Sequence, residues 1–186
     1  MTVLSFFLGA LAALAVVWIV RWKLGFRGQT PEHYRDDTPV FDLRRHLNGK
    51  MSCDGVVYGP LGRVVSRFSA DFETSWDARS GVMREVFRYD SGEMQTRAWF
   101  LELAEDGGIT ATADDVIGTG QGWQSGPTVQ LSYRMKLDED AGGHVLDVVD
   151  WMYLTPDGTI MNRSQFRKYG IKVAELIATM RPKETA

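Results

Sequence analysis

The side chains able to do chemistry are few and scattered. His33, His46 and His144 stand far apart, without the short spacings by which metal ligands share one helix or hairpin, so no metal centre is expected. Cys53 is the single cysteine, which rules out an internal disulfide and a cysteine-based zinc site; its ordinary role is that of a small core residue. No G-x-S-x-G, H-E-x-x-H or phosphate-loop motif occurs. Gly118-Thr119-Gly120-Gln121-Gly122 imitates a nucleotide loop but lacks the third glycine at its offset, and no helical pattern follows it. Glycines at alternate positions suit a strand that bends or is approached closely by its neighbour. Asn162-Arg163-Ser164 fits a glycosylation acceptor, a match frequent by chance. These residues give no reason to name a catalytic residue, and none to invoke a cofactor.

Carboxylates among apolar residues are more informative. In Val145–Leu154, one face carries Val145, Asp147, Val149, Trp151 and Tyr153, and the other Leu146, Val148, Asp150, Met152 and Leu154. Each face is apolar with one acid, and an acid turned inward needs a partner because burying it unpaired is costly. Arg163, on the next strand, is a candidate partner. Two readings stay open: a structural clamp, or a polar contact for a ligand. Aromatics supply the apolar side of such a site. Trp99 shares parity with Leu101 and Leu103, Tyr133 with Leu131 and Met135, and Trp151 with Val149 and Tyr153. Trp99, Tyr133, Asp150, Trp151, Tyr153 and Arg163 are therefore the candidate ligand-binding residues.

The elements that must position them are strands. Strand signals recur every ten to fifteen residues from Gly49 onward, each bounded by Gly, Asp, Pro or Asn. Thr128–Asp138 alternates throughout, with Val129, Leu131, Tyr133, Met135 and Leu137 on one side. Asp90-Ser91-Gly92 and Pro156-Asp157-Gly158 are hairpin turns. Phe41–Leu47 has the pattern of one or two helical turns. Ile171–Met180 reads as a final strand, with a helix as the alternative. Nine or ten strands joined by short turns predict an up-and-down antiparallel sheet, and closure into a barrel removes its exposed edges. The chain is thus expected to be all-β, with residues 40–182 forming the barrel and 183–186 a tail.

Residues 3–20, VLSFFLGALAALAVVWIV, contain no charge. Eighteen residues at about 1.5 Å each span roughly 27 Å, close to the ~30 Å of a bilayer's hydrocarbon core. Trp18 and Trp22 sit where an interfacial belt belongs, and Arg21, Lys23 and Arg27 follow. No small-residue cleavage site follows the run, and no cysteine that could carry a lipid. Residues 1–23 are expected to be an uncleaved single-span anchor from Thr2 to Val20, in place of a cleaved signal or a buried core helix. The basic cluster argues a domain on the cytoplasmic side of the inner membrane. Residues 24–39, polar and containing Pro31 and Pro39, read as a tether or surface strap. The formal charge of −3 and pI of about 5.6 give no bulk reason to bind nucleic acid.

Several stretches together resemble one bacterial family. These are Phe41-Asp42-Leu43-Arg44-Arg45-His46-Leu47-Asn48-Gly49-Lys50, Asp54-Gly55-Val56-Val57, Arg67-Phe68, Asp114-Asp115-Val116-Ile117 running into the Gly118–Gly122 segment, Asp150-Trp151-Met152-Tyr153-Leu154, Asn162-Arg163 and Lys168-Tyr169-Gly170. The chain resembles, over about residues 40–182, the family labelled domain of unknown function 3833. The resemblance implies a lipocalin-like (calycin-like) β-barrel without an established activity. It also implies relatives that look like lipoproteins, held outside the inner membrane, and neighbours that modify membrane fatty acids. The expectation is a membrane-anchored module that binds a lipid-like or fatty-acyl molecule. The alternatives are an enzyme acting on a lipid-like substrate through Asp147 or Asp150, and a filled barrel serving as an assembly partner.

Overall fold

The computed structural model describes residues 3–183, the side chains of Trp18, Arg21 and Trp22 excepted. A helix, α1 (Val3–Lys23), is followed by an irregular segment and by a short helix, α2 (Leu43–His46). Ten strands follow: β1 (Gly49–Tyr58), β2 (Val64–Asp77), β3 (Ser80–Tyr89), β4 (Met94–Leu103), β5 (Gly108–Thr112), β6 (Gly120–Ser125), β7 (Thr128–Lys136), β8 (Val145–Leu154), β9 (Ile160–Lys168) and β10 (Ile171–Pro182). Each strand pairs antiparallel with the next, and β1 pairs with β10, from Met51 opposite Pro182 to Tyr58 opposite Glu175. The sheet is a closed barrel, as the alternation and the short turns predict, and Ile171–Met180 is a strand.

Local chemistry explains the turns and the tight places. At the β8–β9 turn, Gly158 has φ of 83°, and Asp157 Oδ1 accepts from Thr159 N at 3.1 Å. Gly122 faces inward on β6, and a Cβ there would stand 2.1 Å from the Gln130 carbonyl oxygen on β7. The alternating glycines thus mark close approach of a neighbour; Gly118 itself lies in the loop before β6.

One end of the barrel is plugged. Asp42 caps α2 by accepting from Arg44 N at 2.9 Å, which turns Leu43 and, just after the helix, Leu47 into the barrel. Trp76 Nε1 donates to Leu47 O at 2.9 Å, and Leu43 N donates to Gln124 Oε1 at 2.8 Å. Phe41, Leu43, Leu47 and Met51 form the buried floor.

Residues 24–41 are a strap laid on the barrel's outer wall. Phe41 N donates to Gly126 O at 2.8 Å, at the plugged end. Higher up, the Tyr34 ring lies 5.6 Å from that of Trp151, and Gln29 Oε1 accepts from both Tyr34 and Tyr153 hydroxyls at 2.8 Å. Phe26 is buried under Arg163, whose guanidinium is 5.0 Å from its ring centre. Next along, Arg27 lies near Arg167; burial and then this neighbouring charge lower the Arg167 pKa. The strap therefore climbs from the plugged end toward the other, where α1 departs.

α1 is apolar on every side, and its side chains from Val3 to Val17 are exposed. Among the described residues no helix is long and apolar enough to cross a membrane. The expected span counts on Thr2, on the Trp18 and Trp22 side chains and on the Arg21 charge, all outside the described residues and side chains. A spanning helix is thus not part of the fold as described. Of the expected tail, residues 184–186 also lie outside it.

Candidate functional site

The inward faces enclose a cavity of about 370 Å³, within the usual range for small-molecule sites. Its depth is graded. Leu43, Leu47 and Val129 close the α2 end and are buried, whereas Val57, Phe87, Tyr89, Met135 and Phe166 at the opposite end are partly exposed. The mouth therefore lies between the β1–β2, β3–β4, β5–β6, β7–β8 and β9–β10 connections.

Polar side chains interrupt this apolar wall at mid-depth. β3 turns Met83, Glu85, Phe87 and Tyr89 inward, and β4 turns Gln95, Arg97, Trp99 and Leu101 inward. Glu85 and Arg97 are direct register partners. They nevertheless do not form a hydrogen-bonded pair. Arg97 Nε donates to Asp115 Oδ1 at 3.0 Å, and its guanidinium lies 4.1 Å from the centre of the Trp99 ring. Arg97 Nη2 is 2.9 Å from the same Asp115 oxygen, but without the alignment of a hydrogen bond. Asp115 is held there by its loop: Lys136 N donates to Asp115 O, and Ile117 N to Arg134 O, both at 2.8 Å. Glu85, only 5% exposed, keeps Oε2 without a partner. Burial pushes its pKa up to about 8 against the pull of Arg97, and Asp150 and Asp115 add to the rise.

A second polar group lines β8 and β9. Asp150 accepts from Ser164 Oγ at 2.7 Å and from Asn162 Nδ2, which also donates to Trp151 O at 3.2 Å. Asp150 is surrounded by protein yet keeps surface toward the cavity. Burial raises its pKa, opposed by the Ser164 and Asn162 hydrogen bonds and by Arg97. The Tyr133 ring stands edge-on to Trp99 at 5.0 Å, and burial raises its phenol pKa.

Of the candidates from sequence, Trp99, Tyr133 and Asp150 line the cavity, and Trp151, Tyr153 and Arg163 do not. Parity on β8 is the reverse of that expected: Asp150 and Met152 face in, so Trp151 and Tyr153 face out. Trp151 is only 2% exposed because the strap covers it. That cover is the physical reason β8 has no polar face. Arg163 sits beside Trp151 in register, on the outside, and pairs with Glu175 at 2.6 Å. The partner of Asp150 is thus its register neighbour Ser164, not Arg163. Asp147, the other acid of β8, is outside with Arg134 at 3.5 Å.

Glu85, Arg97, Asp115, Asn162 and Ser164 escaped the sequence reading. A signal existed: Glu85 interrupts the stripe Met83, Phe87, Tyr89, and Arg97 shares the parity of Trp99 and Leu101. Chemically, this is a greasy cavity with one cation and several acids at mid-depth. Among the described residues no group of three or more His, Cys, Asp or Glu could hold a metal ion.

The family model described as "Protein of unknown function (DUF3833)" matches residues 20–182. The chain belongs to this family. No curated protein matches this DUF3833 chain. Its barrel is similar to the S-type phycobiliprotein lyase CPES from Guillardia theta, with a TM-score of 0.59 and 12% identity, over 77% of this chain and 92% of that one. It is also similar to Rv2717c from M. tuberculosis, with a TM-score of 0.55 and 13% identity, over 80% and 100%. At such identities the likeness of the DUF3833 barrel to both is one of fold.

Proposed function

We propose that this DUF3833 protein binds a lipid-like or fatty-acyl molecule in its barrel, beside the membrane to which α1 attaches it. The carrying observation is the apolar cavity of about 370 Å³ that reaches one end of the barrel. A barrel used only as a filled scaffold would have no use for this space. The neighbour named a phycobiliprotein lyase indicates that such a barrel can serve small-molecule chemistry.

Two features support the membrane. A helix apolar all round needs cover on every side, and inside the molecule α1 packs chiefly on the turn at Phe26–Gly28. The mouth is rimmed by exposed apolar side chains, among them Leu61 at 86%, Tyr169 at 91%, Met94, Ile117 and Ile171. The strap brings α1 out at this same end. The mouth would thus face the lipid surface, and the inner membrane is the proposed location. Here Asp150 holds polar groups of the cavity wall; an enzyme reading would need it to act as acid or base, and its raised pKa is the observation in favour.

The test is native mass spectrometry of the full chain extracted in detergent from its membrane. A copurified lipid-like mass, lost in Trp99→Ala while the fold persists, is the expected result. An empty barrel that also takes up no added acyl compound would overturn the reading.

A further inference from the structure

Within the reading of the barrel as a lipid-binding module, we infer that Glu85 and Arg97 form a head-group site for an uncharged, hydroxyl-bearing single-chain amphiphile, such as a long-chain alcohol. The two residues occupy paired register positions on β3 and β4 and line the same cavity. Glu85 Oε2 is buried without a partner, and Arg97 Nη2, buried as well, stands 2.9 Å from Asp115 Oδ1 without the alignment of a hydrogen bond. Buried polar atoms are almost always paired, because an unpaired one gives up its hydrogen bond to water and gains none in return. Two such atoms on facing positions of adjacent strands, in the wall of an otherwise greasy cavity, are what a ligand's polar end would satisfy.

The kind of head follows from donors, acceptors and charge. A hydroxyl carries one donor and two acceptor lone pairs. It can accept from Arg97 Nη2 and either donate to Glu85 Oε2 or accept from it, so it fits whichever way Glu85 is protonated. An ammonium group has no lone pair and leaves Nη2 unsatisfied. A carboxylate or phosphate accepts only, and so needs Glu85 protonated. It also meets an unfavourable charge balance. Arg97 is the one basic residue of the wall, Asp115 already holds it, and Asp150 stands close by. The hydrocarbon chain would extend along Trp99, Leu131 and Phe87, with no further polar requirement.

The test offers the full chain, in detergent at neutral pH, an equimolar mixture of 1-dodecanol, laurate and dodecylamine. Occupancy is read by native mass spectrometry in wild type, Glu85→Gln and Glu85→Leu. Wild type is expected to favour dodecanol about tenfold over either charged probe, the worth of one to two hydrogen bonds. Glu85→Gln, which keeps a donor and an acceptor, should retain that preference. Glu85→Leu should lose most of it while still binding the alkyl chain. Comparing ratios between variants cancels the partition of each probe into detergent. A preference for laurate or dodecylamine, equal occupancy of all three, or an unchanged preference in Glu85→Leu would each overturn the head-group assignment while leaving lipid binding intact. If Glu85→Leu does not fold, the wild-type ranking and Glu85→Gln still decide. No occupancy by any probe in wild type would instead sink the lipid-binding reading, and the head-group site with it.

Discussion

At the residue scale, Glu85 sets a pH dependence. Its pKa rises from the ordinary 4.5 to about 8 because burial penalises the charged carboxylate. The folded state thus holds its proton more tightly than the unfolded one. The stability this gives is fully present below about 4.5 and is lost as pH rises to about 8. That interval corresponds to roughly 5 kcal/mol at the upper end. The raised pKa of Asp150 acts in the same direction. Urea denaturation at pH 5 and pH 8 should show the loss, and Glu85→Gln should flatten it. Stability that rises with pH over this interval would contradict the burial of Glu85. Cys53 behaves differently. It is buried, and burial pushes its thiol up to about 12, with Glu85 and Asp54 adding to the rise. A thiol reagent at pH 8 should leave native protein unmodified and label it only on unfolding; rapid labelling of folded protein would place Cys53 at the surface.

At the element scale, the strap decides the roles of β8. Trp151→Ala removes a side chain held between barrel wall and Tyr34, so it should cost about 3–5 kcal/mol of stability. It should leave intact the occupancy of the cavity in the fraction that remains folded, because Trp151 lies outside. Trp99→Ala should do the opposite, weakening occupancy more than its loss of stability explains. Equal effects of the two on ligand retention would mean that the strap gates the site. The same strap marks how far the sequence could be read. Alternation fixed Trp99 and Tyr133 inward, because the opposite positions Thr96, Gln130 and Arg134 are polar and meet water. It failed on β8, where the outward face is apolar because Phe26, Gln29 and Tyr34 cover it. A segment of polar composition gives no sign in its own pattern of where it docks. Glu85 and Arg97 were legible as breaks in apolar stripes, but that they line one cavity and do not pair emerges only from register and rotamer.

At the scale of the whole molecule, the plugged floor and the apolar rim give the barrel a top and a bottom. Replacing Leu61 and Tyr169 by Asp should weaken exchange of a fluorescent acyl probe between the full chain and lipid vesicles several-fold, without lowering stability, since both side chains are exposed. Undiminished exchange would mean that cargo enters by another route. Closure has a further consequence, in time rather than space. The seam pairs Met51 with Pro182, so the first strand must wait for the last. Hairpins between successive strands can form early from local contacts, but the seam brings together segments separated by most of the chain, at a substantial loop-closure cost. During synthesis the edge of β1 that will meet β10 stays unpaired until translation reaches the end of the barrel, and an edge of that kind recruits other strands. Refolding should therefore be slow and prone to aggregation at high concentration, and its slowest structural phase should report on the β1–β10 seam.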